Sequence, residues 1–328
     1  MKRRFLRPVI AWSALVVWVG ACTTAPVGTG IPGGSTTGGS TMGGTSGTGA
    51  GTPGGVTQSV AATILEQLSL ERVNRARLRP ANEASSNGIA IDEGIPGQLN
   101  TTPKQPLALN AILMQTARHH SQDMLNRDFF EHVNPDGKSP FDRMGDAGYV
   151  IATAGQNLAW RGTTGTVNEL SMVEDEHVDL FVDTGIAGRG HRISMLNQDF
   201  REVGIGILRG SFTTTTTYDS MMQTQDFGTS QGSGVFVLGV VYNDTNKNNR
   251  YDFGEGVANS NVQLGQVTKS TNAGGGYGFE VRSAGSYTLR FLVTNTTATL
   301  NLGTASNNIK IDLVDGTRVV VNLGLGQF

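Results

Sequence analysis

Past residue 234 the apolar pattern of this 328-residue chain is entirely that of short strands. V-F-V-L-G-V-V-Y from Val235, N-V-Q-L from Asn261, Y-G-F-E-V from Tyr277, Y-T-L-R-F-L-V from Tyr287, I-K-I-D-L from Ile309 and R-V-V-V-N-L from Arg318 are each bounded by Gly, Asn, Asp or Ser. Runs this short, rich in β-branched and aromatic residues, predict a β-sandwich over residues 230–328. The residues before them show helical spacing first and strand spacing afterwards, which predicts an α+β domain over residues 58–229. The boundary is expected in the Gly/Ser stretch from Gly228 to Gly234.

The first 57 residues obey different rules. Lys2, Arg3, Arg4 and Arg7 precede an apolar stretch, Val9 to Val19, that is too short for a permanent membrane helix and reads as a signal peptide over residues 1–21. It runs into Val19-Gly20-Ala21-Cys22, which resembles the lipobox of bacterial lipoproteins; the resemblance implies that Cys22 is lipidated and anchors the protein to a membrane outside the cytoplasm. Residues 22–57 are rich in Gly, Thr, Ser and Pro with almost no charge, so burial cannot offset their ordering entropy and a flexible linker is expected. Cys22 is the only cysteine, which rules out a disulfide framework or a cysteine metal site. A net charge of −2 leaves no basic footprint for nucleic acid.

Within residues 58–229, Ile64, Leu65, Leu68, Leu70, Val73 and Leu78 predict an amphipathic helix that stops before Pro80. Arg72, Arg75, Arg77 and Arg79 are expected on its solvated face, near the negative end of the dipole. Residues 81–106 read as a long loop. A second helix is predicted from Leu107 to about Arg127, with His120 on its apolar face and His119 in solvent. Ser139-Pro140-Phe141-Asp142 reads as a capped helix start. Residues 166–183 read as a helix whose Glu169, Glu174, Asp175 and Glu176 face water, followed by strands near 200–208 and 213–226.

Two histidines, His132 and His191, stand beside turn-rich stretches, where a scaffold can present side chains to solvent. His132 precedes P-D-G-K-S-P-F-D-R. The A-G-Q-N-L-A block follows, then G-H-R, M-L-N-Q-D-F-R-E-V-G-I-G and a closing T-Q-D-F-G. In this order the motifs resemble the CAP, or SCP, superfamily of cysteine-rich secretory proteins, antigen 5 and pathogenesis-related proteins. The resemblance implies an α-β-α sandwich with a cleft, usually secreted and usually without catalysis. It also implies that two histidines and two acidic residues can hold a divalent metal such as zinc. His132 and His191 fall on the histidine positions. Gln156 stands where the family usually has glutamate, Asp183 is the best candidate for the other acidic position, and Glu202 is a further one.

A second constellation lies at residues 244–255. Side-chain oxygens of Asp244, Asn246, Asn248, Asp252 and Glu255, with the carbonyl of Arg250, match the positions of a twelve-residue calcium loop. Asn249 takes the place of the usual glycine, which asparagine tolerates because it visits left-handed backbone. With strands on both sides, the segment resembles calcium-binding B-type repeats of bacterial surface adhesins. Together these features predict a lipid-anchored binding protein whose partner is a lipid, glycan or protein. A metal-dependent hydrolase using His132 and His191 and a structural adhesin spacer are the alternatives, although H-E-x-x-H is missing from the sequence. The α+β domain is expected to be indifferent to calcium bound in the sandwich.

Overall fold

The computed structural model describes residues 61–303 and 306–323. The predicted signal peptide, Cys22 and the linker at 22–57 therefore lie outside the described residues, among which no helix is long and apolar enough to cross a membrane.

Helix α1 (Ile64–Leu78) begins at a capping box: the Thr63 hydroxyl accepts from the Glu66 amide and the Glu66 carboxylate accepts from that of Thr63. Pro80 starts a separate short helix, α2 (Pro80–Ser86), inside the stretch expected to be all loop. Strand β1 (Ala108–Leu109) delays α3 (Ala111–Arg127), because Ala108 and Leu109 pair in parallel with a later strand before Asn110 caps the helix. The expected start at Leu107 is thus too early. Helix α4 (Pro140–Asp146) has the Ser139/Asp142 capping box that its sequence predicts. Then come β2 (Ile151–Thr163), α5 (Glu169–Val182), α6 (Gly190–Met195), β3 (Glu202–Thr213) and β4 (Thr217–Ser230). The sheet order is β1-β3-β4-β2, so β2 is an edge strand. Helices α3 and α4 cover one face, and α1, α5 and α6 cover the other.

The V-G-I-G run in β3 has a steric cause. A Cβ on Gly204 would lie 1.9 Å from the Leu113 carbonyl carbon, and one on Gly206 would lie 2.3 Å from the Arg118 nitrogen. Helix α3 therefore rests directly on strand backbone, while Val203, Ile205 and Ile207 point the other way into the core under α1.

The C-terminal strands are β5 (Val235–Tyr242), β6 (Asn261–Leu264), β7 (Val267–Ser270), β8 (Gly276–Val281), β9 (Gly285–Phe291), β10 (Thr296–Leu302), β11 (Ile309–Val314) and β12 (Arg318–Leu323). They form two four-stranded sheets, β10-β9-β6-β7 and β12-β11-β5-β8, as a sandwich requires. The sequence pattern missed β7 because V-T-K-S is exposed at every position and carries no alternation. Strand β5 is buried at every position instead. Val237 and Val241 face the sandwich core, whereas Val240 and Tyr242 join the core built around α1, and Phe236 and Leu238 pack on Ala108.

Both faces of β5 are covered because the sandwich sits against α1, so α1 is not a one-sided amphipathic helix. The expectation of solvated arginines fails because Arg72 meets the sandwich, while Arg75 and Arg77 find partners within the α+β domain. Only Arg79 is exposed. Arg77 is fully buried and donates to the carbonyls of Gln105 (2.8 Å), Met195 (2.7 Å), Asn197 (2.8 Å) and Phe200 (3.3 Å). Arg75 pairs with Glu83 at 2.7 Å. Glu176 of α5 is likewise buried rather than solvated, accepting from Gln223 at 2.8 Å, and burial pushes its carboxyl up to about 8.

Arg77 offers a direct test of this packing. Lysine keeps the charge but cannot reach four carbonyls with one ammonium, so Arg77→Lys should cost about 2–3 kcal/mol through carbonyls left unpaired. Urea unfolding at neutral pH measures it; a loss below about 0.5 kcal/mol would contradict the assignment.

Candidate binding cleft

His132 lies on the loop between α3 and α4. The loop leaves α3 through Asp128, whose φ of 52° turns the chain sharply, and closes on a turn in which the Gly137 amide donates to the Asn134 carbonyl at 2.8 Å. Arg143 of α4 stiffens it by donating to the His132 carbonyl at 2.9 Å and the Lys138 carbonyl at 2.7 Å. The imidazole is fixed separately, by β2. His132 Nδ1 is 2.9 Å from Gln156 Oε1, and Gln156 Nε2 donates to Asp226 Oδ1 at 2.8 Å. Asp226 is buried, accepts also from the Thr116 hydroxyl at 2.7 Å, and is pushed up to about 6 by burial.

This relay fixes a tautomer. The Asp226 carboxylate can only accept, so Gln156 must turn its amide nitrogen toward Asp226 and its oxygen toward His132. The oxygen accepts in turn, which places the His132 proton on Nδ1 and leaves the lone pair on Nε2. His191 is held in the same way by a different device. Asp183 caps α5 in left-handed backbone (φ 58°), and its Oδ1 accepts from His191 Nδ1 at 2.7 Å while Oδ2 accepts from the His191 amide at 2.9 Å. Both rings thus present Nε2.

Burial depresses the His132 pKa below the usual histidine value; the Gln156 bond partly offsets this, and the charges of His191 and Arg143 lower it further. Strand β2 touches both histidine segments: Gln156 holds the His132 ring, and the next residue, Asn157, donates to the His191 carbonyl at 3.1 Å. Gln156 and Asp183 sit behind the histidines, each on an Nδ1. Glu202 is elsewhere: its carboxylate accepts from Asn110 at 2.6 Å and from the Tyr149 hydroxyl at 2.8 Å, tying β3 to the N-terminus of α3 and the end of α4. Its place on the buried start of β3 removes it from the cleft. His120 is a core histidine as expected, pushed down to about 3 by burial, with Nε2 3.0 Å from the Glu131 carbonyl.

Asp226 is the residue that sequence reasoning passed over. The signal was present in T-Q-D-F-G, but only the β2–β4 register makes Asp226 the cross-strand partner of Gln156. Trp160, on the same strand as Gln156, packs against Phe212 (4.8 Å between centroids), Tyr218 and Phe130. Arg189 donates to the carbonyls of Asp183 and Glu93, which holds the loop before α6.

The 244–255 loop is ordered by its own side chains. Asp244 is buried, and its two oxygens accept from the amides of Asn248 and Asn249 at 3.0 Å each. Asn249 adopts φ 60°, the left-handed backbone expected there. Asn248 Oδ1 accepts from the Arg250 amide at 3.0 Å, and Glu255 accepts from Thr245 at 2.9 Å and from the Asp252 amide at 3.0 Å. The side-chain amides of Asn246 and Asn248 both donate to Asp252 Oδ2. Among the described residues no three His, Cys, Asp or Glu side chains are grouped so as to hold an ion.

Residues 70–227 match the sequence model of the cysteine-rich secretory protein family, CAP. Over 102 residues the chain is 33% identical to the uncharacterized protein YkwD of Bacillus subtilis, covering 31% of this chain and 35% of that protein. Over 99 residues it is 27% identical to the uncharacterized membrane protein YlbC of the same organism, covering 30% of this chain and 25% of the relative. The matches thus span about a third or less of these relatives. Among solved structures, an extracellular protein containing a SCP domain from Bacillus anthracis is 21% identical, with 45% of this chain and 40% of that chain covered and a TM-score of 0.28. Venom allergen-like protein 4 of Schistosoma mansoni is 14% identical, with 52% and 90% covered and a TM-score of 0.29.

The relay behind His132 can be tested by charge. Gln156→Glu sets a carboxylate against Nδ1, which favours the imidazolium, so the His132 pKa should rise by about one unit or more. A proton NMR titration of the ring measures this. An unmoved His132 would show that Gln156 does not touch the ring.

Proposed function

From the premise that residues 70–227 are a CAP domain, we propose that this protein is a lipid-anchored, extracytoplasmic binding module. Its ligand, a lipid, glycan or protein, occupies the cleft at His132 and His191, and calcium stabilises its C-terminal sandwich. The observation that carries the reading is the pair of imidazoles locked with Nε2 free by Gln156 and Asp183. A lone pair held in place by an acceptor on the opposite nitrogen is the form in which histidine ligates a divalent metal. His132 and His191 would hold a zinc-like ion, which would give the cleft a positive charge and an open coordination position for a ligand oxygen.

Binding is favoured over hydrolysis by where the carboxylates sit. Asp183 is spent on the His191 ring and amide, and Asp226 on Gln156 and Thr116. Neither is left to take a proton from a bound water. In the sandwich, Asp244, Asn246, Asn248, Asp252, Glu255 and the Arg250 carbonyl would hold calcium. The hydrogen bonds to Asp244 and Asn248 support this by using one lone pair of each oxygen and leaving others for a cation. The membrane anchor is Cys22, and extracytoplasmic placement follows from the leader sequence.

Zinc titration of the full chain at pH 7.5, followed by calorimetry, tests the cleft. Asp226→Asn frees the Gln156 amide to turn over and releases the His132 tautomer, so zinc affinity should fall about 10- to 100-fold. Wild-type protein that takes up no zinc, or equal affinity in the variant, would overturn the metal reading. The anchor has its own test. Cys22→Ser should shift the protein from the membrane fraction to the soluble fraction, whereas an unmodified Cys22 in mature protein would remove the anchor.

A further inference from the structure

Where the sandwich meets α1, a lysine and two carboxylates are sealed from water. Lys310 of β11 is 3% exposed, Asp312 two residues along is 6% exposed, and Glu71 of α1 is 7% exposed. Lys310 Nζ lies 2.9 Å from Glu71 Oε2 and also pairs with Asp312 Oδ1. Among the described residues it is the one cation paired with either carboxylate. With all three groups ionised, the cluster would bury an excess negative charge, which ion pairing alone satisfies poorly.

The backbone around the cluster is fixed. Lys310 and Asp312 alternate with Ile311 and Leu313, which fill the sandwich core, so the two polar side chains share the face toward α1. The Ile311 carbonyl between them accepts from the Tyr277 hydroxyl at 2.6 Å, and a Cβ on Gly239 would lie 1.8 Å from that oxygen. The two carboxylates are held differently. Asp312 Oδ1 accepts from the Val240 amide at 2.9 Å and Oδ2 from the Asn322 side chain at 3.2 Å, so donors on both oxygens favour its anion. Glu71 has one neutral donor besides the lysine, Gln67 Nε2 at 3.0 Å on Oε1, and Asn272 fixes which way that amide points by donating to Gln67 Oε1 at 2.8 Å. Burial raises the Glu71 pKa against the pull of Lys310. Asp312 is thus suited to be a base, and Glu71 an electrophile whose carbonyl oxygen Gln67 polarises.

We propose that Lys310 and Glu71 join in a side-chain amide that ties α1 covalently to β11, with Asp312 as the proton relay. Burial works against the Lys310 ammonium, but the charges of Asp312 and Glu71 outweigh it and raise the pKa, so the amine is freed by handing its proton to a neighbour already in contact. Asp312 takes that proton and passes it to Glu71 Oε2. The amine attacks Glu71 Cδ, the C–N bond forms, and a second proton reaches Oε2 through Asp312 as the C–O bond breaks. Of the three ammonium hydrogens one stays on the amide nitrogen and two leave with Oε2 as water, while Asp312 ends as it began. The product removes two charges from the interior and leaves Asp312 with its Val240 and Asn322 donors.

Peptide mapping by mass spectrometry of the full chain, after denaturation and proteolysis, tests the bond. The wild type should yield a branched species in which the segment carrying Glu71 is joined to the segment carrying Lys310, lighter by one water than the two together. Lys310→Arg keeps the charge without an amine that can attack, and should yield the two segments separately. Asp312→Asn removes the relay and should carry the branched species at about a tenth of the wild-type fraction or less. Wild-type segments recovered separately at full mass show an ion pair only and overturn the proposal, as does a link from Lys310 to Asp312. A fully linked Asp312→Asn overturns the relay. The wild-type map decides on the bond by itself if either variant fails to fold.

Discussion

The burial of α1 on every side is the constraint on which the rest of the structure depends. A helix that carries Glu66, Glu71, Arg72 and Arg77 into the interior is stable only if each charge meets a partner there, since an unpaired buried charge costs several kcal/mol. The partners come from different parts of the chain. Arg118 of α3 takes Glu66, Lys310 of β11 takes Glu71, Glu174 and Asp252 share Arg72, and backbone carbonyls after α6 and before β1 take Arg77. Each pairing fixes where one more element must lie. The two domains therefore share a core, and the short Gly/Ser segment before β5 connects units already held together.

The cleft shows the same dependence at smaller scale. Neither histidine is positioned by its own loop alone. His132 needs α4 for its backbone and β2 with β4 for its ring, whereas His191 needs the left-handed end of α5. In both cases a buried carboxylate sets the proton on Nδ1, once directly and once through an amide. Gln156 in place of glutamate therefore passes the influence of Asp226 to the ring without adding a second charge beside it.

Much of this was legible in the sequence. The Ser139-Pro140 cap, the core position of His120, the left-handed Asn249 and most strands of the sandwich follow from local rules: capping, periodicity and the conformational reach of asparagine. Family motifs singled out His132, His191 and Asp183, and the structure pairs Asp183 with His191. The misses share one cause. Arginines on α1 and Glu176 on α5 look like solvated faces because a helix read alone presents them to water, and Asp226 looks like an ordinary strand residue.

Local chemistry thus determined which segments are helices and strands, where they start, and which residue types could ligate a metal. Only the tertiary structure decided which polar side chains are buried, who pairs with whom, and that Arg72 touches both domains. The reason is physical: propensity and capping are set within a few residues, whereas burial and hydrogen-bond pairing are set by elements up to 239 positions apart, as Glu71 and Lys310 are. A charge reads the same in sequence whether it faces water or a partner.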